Sequence, residues 1–211
     1  MIYSNATSAF ESLYGRIMSD GELFADTKAL FNESFSLLNP KERIIMTPQR
    51  KFSQDYAELE WKWYLSGDRD ATEISERAKM WKKMMVPGTS SVVSNYGHFW
   101  NYNDQLKRAI NEIKINPETR RAIVVHYLLH ELDLYKYDTP CNLALNFYVR
   151  SGQLDLTVMA RSIDIWFGFG CDQYCFSKLM DMVSEQTGHP VGQMHWHVTN
   201  LHLYPRHFGL L

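Results

Sequence analysis

Apolar positions recur at helical spacing along TSAFESLYGRIMSDG. Phe10, Leu13, Tyr14 and Ile17 share one face and Gly21 supplies a stop, so the pattern predicts a first helix. KALFNESFSLLNPKERIIM alternates loosely and predicts two strands around the Asn39-Pro40 turn. FSQDYAELEWKWYLSGD returns to helical spacing and ends at Gly67, and a second short helix is expected over 71–84. PGTSSVVSNYGHFW, rich in small residues, reads as a loop, and NDQLKRAINEIKINP reads as an amphipathic helix closed by Pro117. RRAIVVHYL has the unbroken apolar run of a buried strand. LALNFYVR and LDLTVMAR predict a hairpin across Ser151-Gly152, 168–187 a long helix, and MHWHVTNLHLYPRH a last strand. Strands and helices mix without regular βαβ repetition or internal repeats. The expected fold is α+β, a single domain over 1–211 with helices packed on one large mixed sheet.

Composition narrows the classes. A net charge of −2 excludes the global basic field of a nucleic-acid binder, and no apolar run is long enough to span a membrane. The N-terminus lacks the basic start and apolar stretch of a signal peptide, so the match of Asn5-Ala6-Thr7 to a glycosylation sequon is read as chance. Three cysteines fit a reducing compartment better than a disulfide framework, and a cytoplasmic location is expected. Cys171 and Cys175 lie one helical turn apart with no matching His or Cys pair; both are read as structural and no metal is expected. His195 and His197 share a strand face, but no convincing further ligand accompanies them.

Several residues carry chemistry. Cys141 follows Pro140, precedes Asn142 and lies one hairpin strand from Arg161. It reads either as a small buried hydrophobe or as a thiolate nucleophile favoured by that guanidinium. Arg120-Arg121 is either a solvated strand end or a bidentate fork for phosphate, and Arg161-Ser162 offers similar donors. Glu60 sits among Leu59, Trp61, Trp63 and Tyr64, where burial would raise its pKa and suit proton transfer. Trp61 and Trp81 are either core or platforms for a flat heterocycle.

The stretch TPCNLALNFYV…RSIDIWFGFGCD resembles the active-site region of the thymidylate synthase family, and within it most closely the deoxycytidylate hydroxymethylases of bacteriophages. AELEWKWYLSGD resembles that family's Glu-bearing helix, SNYGHFW its substrate loop, NPETRRAIV its phosphate segment and LHLYPRH its nucleoside segment. The resemblance implies that Cys141 adds to C6 of a pyrimidine and that Arg161 and Ser162 hold its phosphate. Arg120 and Arg121 would reach the phosphate bound by a second subunit, so a homodimer is implied. Glu60 would organise water and proton transfer, with Tyr96 near the reacting carbons. Asp164 and Trp81 would serve the co-substrate 5,10-methylenetetrahydrofolate, and His202 and Tyr204 the sugar hydroxyl. Asn142 stands where thymidylate synthases commonly have histidine, and Ala160 replaces a glutamine. No arginine occurs in FADTKALF, which leaves Lys28 as the substitute phosphate ligand, and a folate-closing tail after LYPRH is not seen. Asp172 stands where those enzymes carry asparagine. A carboxylate accepts from an amino group, so dCMP is the expected substrate. The shortened tail and Asp172 together favour addition of water over hydride, so 5-hydroxymethyl-dCMP is the expected product, with a CMP or dUMP hydroxymethylase, a thymidylate synthase or an inactive nucleotide-binding relative as alternatives; a helix cap is the competing reading of Asp172.

Overall fold

The structure, a computed structural model, describes all 211 residues. Its seven-stranded mixed sheet has the order β1-β3-β7-β6-β5-β4, with β2 paired to β3. The strands are β1 (Ile2–Tyr3), β2 (Glu22–Phe24), β3 (Thr27–Leu37), β4 (Ile123–Val125), β5 (Asn142–Arg150), β6 (Gln153–Asp164) and β7 (Val191–Leu203). The β5–β6 pair is the expected hairpin, turning at Ser151 and Gly152, both at positive φ. β6 and β7 run parallel, joined by α7 (Gly168–Thr187), so the carboxyl ends of both strands lie beside the start of that helix.

Alternation along β7 sets the layers. Met194, Trp196 and Val198 are buried, and Trp196 stacks on Phe35 at 6.2 Å while meeting Phe169 and Phe176. Full burial of side chains of this size stabilises by about 1.5–3 kcal/mol each. The other face of β7 is polar: Ser36 Oγ lies 2.7 Å from His195 Nδ1, and Ser34 Oγ 2.8 Å from His197 Nδ1. No helix is long and apolar enough to cross a membrane, and no group of three His, Cys, Asp or Glu is arranged to hold a metal.

Helix ends follow their capping chemistry. α1 (Ala6–Asp20) opens with a capping box: Asn5 accepts from the Ser8 amide at 3.0 Å, and Ser8 Oγ accepts from the Asn5 amide at 3.1 Å. α2 (Gln54–Ser66) opens on Ser53 and closes on Gly67 in the left-handed region, φ 64°.

Four expectations need correction. The strand expected after Pro40 does not form: the Ile44 carbonyl and the Met46 amide are both bound by Thr7 Oγ1, at 3.2 and 3.0 Å, and Arg43 pairs with Asp181. The helix expected over 71–84 breaks at Ala78 (φ −131°, ψ 97°) into α3 (Thr72–Arg77) and α4 (Met80–Met84). The loop ending at Trp100 turns helical as α5 (Tyr96–Asn101), because Asn95 Oδ1 caps the His98 amide at 3.0 Å. RRAIVVHYL yields only the short edge strand β4, with Ile123 46% exposed, because the Val125 amide and carbonyl both bond the side chain of Gln105, at the start of α6 (Gln105–Ile115).

α5 crosses α2 at a contact only glycine permits. A Cβ on Gly97 would lie 1.5 Å from the Tyr64 carbonyl oxygen. Gly97→Ala is therefore expected to separate the two helices and destabilise the protein by roughly 1–3 kcal/mol. Urea denaturation checks this, and an unchanged midpoint would mean the crossing relaxes without strain.

Candidate active site

The hairpin places Cys141 at the mouth of β5, and Arg161 on β6 secures it. The Arg161 amide bonds the Cys141 carbonyl at 2.9 Å, while Nε and Nη2 bond the carbonyls of Pro140 and Thr139 at 2.9 and 2.7 Å. The same Nη2 lies 3.8 Å from Cys141 Sγ. Cys141 is half-buried, and the enclosure on its inner side pushes the thiol up to about 11, with Arg161 pulling the other way. Asp138, buried just before this segment, accepts from the amides of Val93 and Ser94 at 2.8 and 2.6 Å. It thereby ties the segment leading to Cys141 to the loop that enters α5.

Tyr96, Asn142 and Asp172 meet beside the sulfur. Asn142 Nδ2 donates to Tyr96 Oη at 2.8 Å and to Asp172 Oδ2 at 2.9 Å, and the Asn142 amide also reaches Tyr96 Oη at 3.2 Å. Asp172 is a full turn into α7, with its carboxylate engaged by Asn142, so the cap reading does not hold. Asp164 supplies the turn there, accepting from the Trp166 and Phe167 amides at 3.0 and 3.3 Å. Burial raises Asp172 to about 7, and the bond from Asn142 restrains the shift. Near neutral pH this carboxyl is divided between its two protonation states.

Glu60 is buried on α2 and held up at about 8 by burial and by Asp172. Its Oε1 accepts weakly from Tyr64 and Tyr56, at 3.3 and 3.4 Å. Trp81 reaches this network indirectly: its indole N–H donates to Tyr56 Oη at 2.9 Å, and its ring packs on Trp63 at 5.0 Å. Cys171, read from sequence as structural, lies beside Glu60, and burial together with that carboxyl pushes its thiol up. Cys175 is buried, with its thiol on the Ala57 carbonyl.

The carboxyl ends of β6 and β7 hold a second group. Ser162 pairs with Asn200 and Asp164 with His202 in the ladder. His202 Nδ1 lies 2.9 Å from Asn200 Oδ1 and 3.4 Å from Ser162 Oγ, and its ring meets Tyr204 edge-on at 5.3 Å. Lys28, opposite Leu203, donates its ammonium to the Met18 carbonyl. Arg120 and Arg121 stand exposed before β4, and no acidic side chain pairs with either.

Sequence reading missed two residues. Arg50 is buried between Phe52 and Phe167, at 5.6 and 5.0 Å, and its Nε has no hydrogen-bond partner. His126, fully buried, lies behind Tyr96. A charged residue after Pro48 and a histidine ending an apolar run were the only signals. The orphaned buried atoms Glu60 Oε2, Asn142 Oδ1 and Arg50 Nε give the site unmet capacity for a polar ligand.

A cysteine beside a guanidinium, a buried and a half-buried carboxyl both of raised pKa, and polar strand ends together define a site for covalent chemistry on a small polar molecule. The chain belongs to the thymidylate synthase family, whose model matches residues 10–211. It is similar to a deoxyuridylate hydroxymethyltransferase of Bacillus phage SP01, 28% identical over 98% of this chain and 59% of that protein. Thymidylate synthases of Corynebacterium aurimucosum and Buchnera aphidicola are 27% and 28% identical; these matches cover 94% and 70% of this chain and 78% and 59% of the relatives. The chain thus spans less than two thirds of the length of two of these three relatives.

Proposed function

We propose that this protein transfers a one-carbon unit from 5,10-methylenetetrahydrofolate to C5 of dCMP and hydrates it to 5-hydroxymethyl-dCMP. The observation that carries the substrate is Asp172, a half-buried carboxyl with one oxygen fixed by Asn142. Its other oxygen is left for the base. Cytosine presents an amino donor at N4 and an acceptor at N3. A carboxylate accepts from the first, and a carboxyl titrating near neutrality can share a proton with the second.

Cytosine C5 is a poor nucleophile. Addition of the Cys141 sulfur to C6 makes C5 enamine-like, and Arg161 beside the sulfur favours the thiolate. The folate supplies the electrophilic carbon. C5 bonds to that carbon and loses its proton, and elimination of tetrahydrofolate leaves an exocyclic methylene. Water adds there as hydroxide and a proton, C6 expels the sulfur, and the ring is restored. Glu60, protonated near neutral pH and close to Asp172, is placed to move these protons. Ser162, His202 and Tyr204 at the strand ends hold phosphate and sugar, and that binding energy positions the ring. Asp164, the half-exposed ring of Phe167 and the cation of Arg50 lie together and fit a flat, anionic co-substrate. A reaction on dUMP is the second reading, favoured by the activity named for the phage relative.

Incubation with dCMP, dUMP and CMP, each with 5,10-methylenetetrahydrofolate, followed by product masses, tests the reading. A gain of one CH2O unit on dCMP is expected; product only from dUMP or CMP would replace the substrate, and no product from any would end the proposal. The free, exposed Arg120 and Arg121 support a shared site in a homodimer. An Arg120→Ala protein and a Cys141→Ser protein, each nearly inactive, are then expected to regain activity when their subunits exchange. About a quarter of wild-type turnover is the expected ceiling, since half the dimers are mixed and each carries one intact site. No recovery after proven exchange would place all groups in one chain.

A further inference from the structure

The residue after the nucleophile is held at nearly every polar atom. Tyr96 Oη takes the Asn142 amide and Nδ2, and Asp172 takes Nδ2 as well. The Asn142 carbonyl has a different partner. The β5–β6 register shifts between Asn142 and Ala144, and there the carbonyl accepts from His126 Nδ1 at 2.9 Å. On its far side His126 Nε2 accepts from the Trp100 indole N–H at 3.2 Å. An indole nitrogen only donates and a carbonyl only accepts, so one neutral tautomer, protonated at Nδ1, satisfies both. Burial, which holds His126 down at about 4, agrees with this. The same ring stacks on Tyr96 with centroids 4.8 Å apart and planes 29° apart, and abuts Phe99 and Phe176.

Resting on the reading above, we infer that His126 is a positioning residue for the reaction. It fixes the carbonyl of Asn142 and the ring of Tyr96, and through them the alignment of the Cys141 sulfur with the carboxyl of Asp172. It touches neither the sulfur nor the base. It joins β4, α5 and β5 behind the site, where a shift of one ångström would misalign a nucleophile by enough to slow it about a hundredfold.

Three substitutions separate alignment from bulk. His126→Asn keeps an N–H close to the Nδ1 position, His126→Gln moves it toward the Nε2 position, and His126→Phe keeps only the ring. For dCMP hydroxymethylation, kcat is expected to fall at least about tenfold in the Phe and Gln proteins, with KM within about threefold, and to recover mostly in the Asn protein. A second readout needs no nucleotide: the rate at which iodoacetamide alkylates Cys141, located by peptide mass. It is expected to change at least about threefold in the Gln protein and to return toward wild type in the Asn protein. Should the Phe protein fail to fold, the Asn and Gln pair carries the comparison. Equal kcat and equal alkylation in Asn and Gln proteins, or wild-type kcat in a folded Phe protein, would overturn the role. An alkylation contrast in a protein that leaves dCMP untouched would keep His126 and remove the proposed reaction.

Discussion

Cys141→Ser is expected to lower turnover of dCMP by at least about 10⁴-fold, the scale seen when a covalent nucleophile is removed. A hydroxyl in the same place is far less nucleophilic toward C6, and Arg161, 3.8 Å from the sulfur, cannot ionise it near neutral pH. Nucleotide affinity is expected to stay within about threefold, because the phosphate and sugar contacts assigned to Ser162, His202 and Tyr204 do not involve the sulfur. Arg161 also keeps its place, since its amide and guanidinium bond the carbonyls of Cys141, Pro140 and Thr139. Isothermal titration with dCMP gives the affinity, and tritium released from C5-labelled dCMP reports addition at C6. A serine protein that still releases tritium at the wild-type rate would remove Cys141 from the nucleophile's role.

The Asp172→Asn protein is expected to shift preference from dCMP toward dUMP by at least about tenfold in the ratio of their kcat/KM values. Asn142 Nδ2, 2.9 Å from the present carboxylate, is a donor. It will select the amide oxygen of an asparagine at this position and so turn the new NH2 toward the base. Uracil O4 accepts from that NH2, whereas the amino group of cytosine would face another donor. Leaving such a pair unmatched costs about 1–3 kcal/mol, and the penalty changes sides between the two bases. The product should still gain a CH2O unit, because Asp172 is assigned to reading the base and not to supplying water. The decisive measurement is kcat/KM for both nucleotides in both proteins. An unchanged ratio in a folded variant would strip the cytosine assignment of its main support.

The sequence carried the fold where local chemistry and tertiary contacts agree. Gly152 turned the hairpin at a positive φ that glycine allows, and Gly188 ended the helix that carries Asp172. It misled where side chains replace backbone partners. Thr7 took the bonds that would have made a strand of residues 41–46, and Gln105 took those of Val125. β1, two residues long, has no period to read, and β2 is exposed throughout. Cys141, Tyr96, Asn142 and Asp172 were nameable because they lie in stretches resembling a family, and the structure brings them into contact or into neighbouring positions. His126 and Arg50 were not, because each draws its meaning from partners on other elements: Trp100 and Asn142 for the histidine, Phe52 and Phe167 for the arginine. Trp81, named for the co-substrate, reaches Glu60 by way of Tyr56.

β7 is the last strand along the chain and yet it lies between β3 and β6, pairing Lys28 with Leu203 and Asp164 with His202. On the ribosome, β3 and β6 are made first and wait with open edges for the same late segment. Such long-range pairing is slow to form, and open edges accept a strand from any chain that offers one. Two nascent copies held close together are therefore at risk of exchanging their β7 strands. The histidine and tyrosine proposed for the sugar arrive with that segment, so an unfinished chain has the proposed nucleophile in place before its proposed sugar contacts.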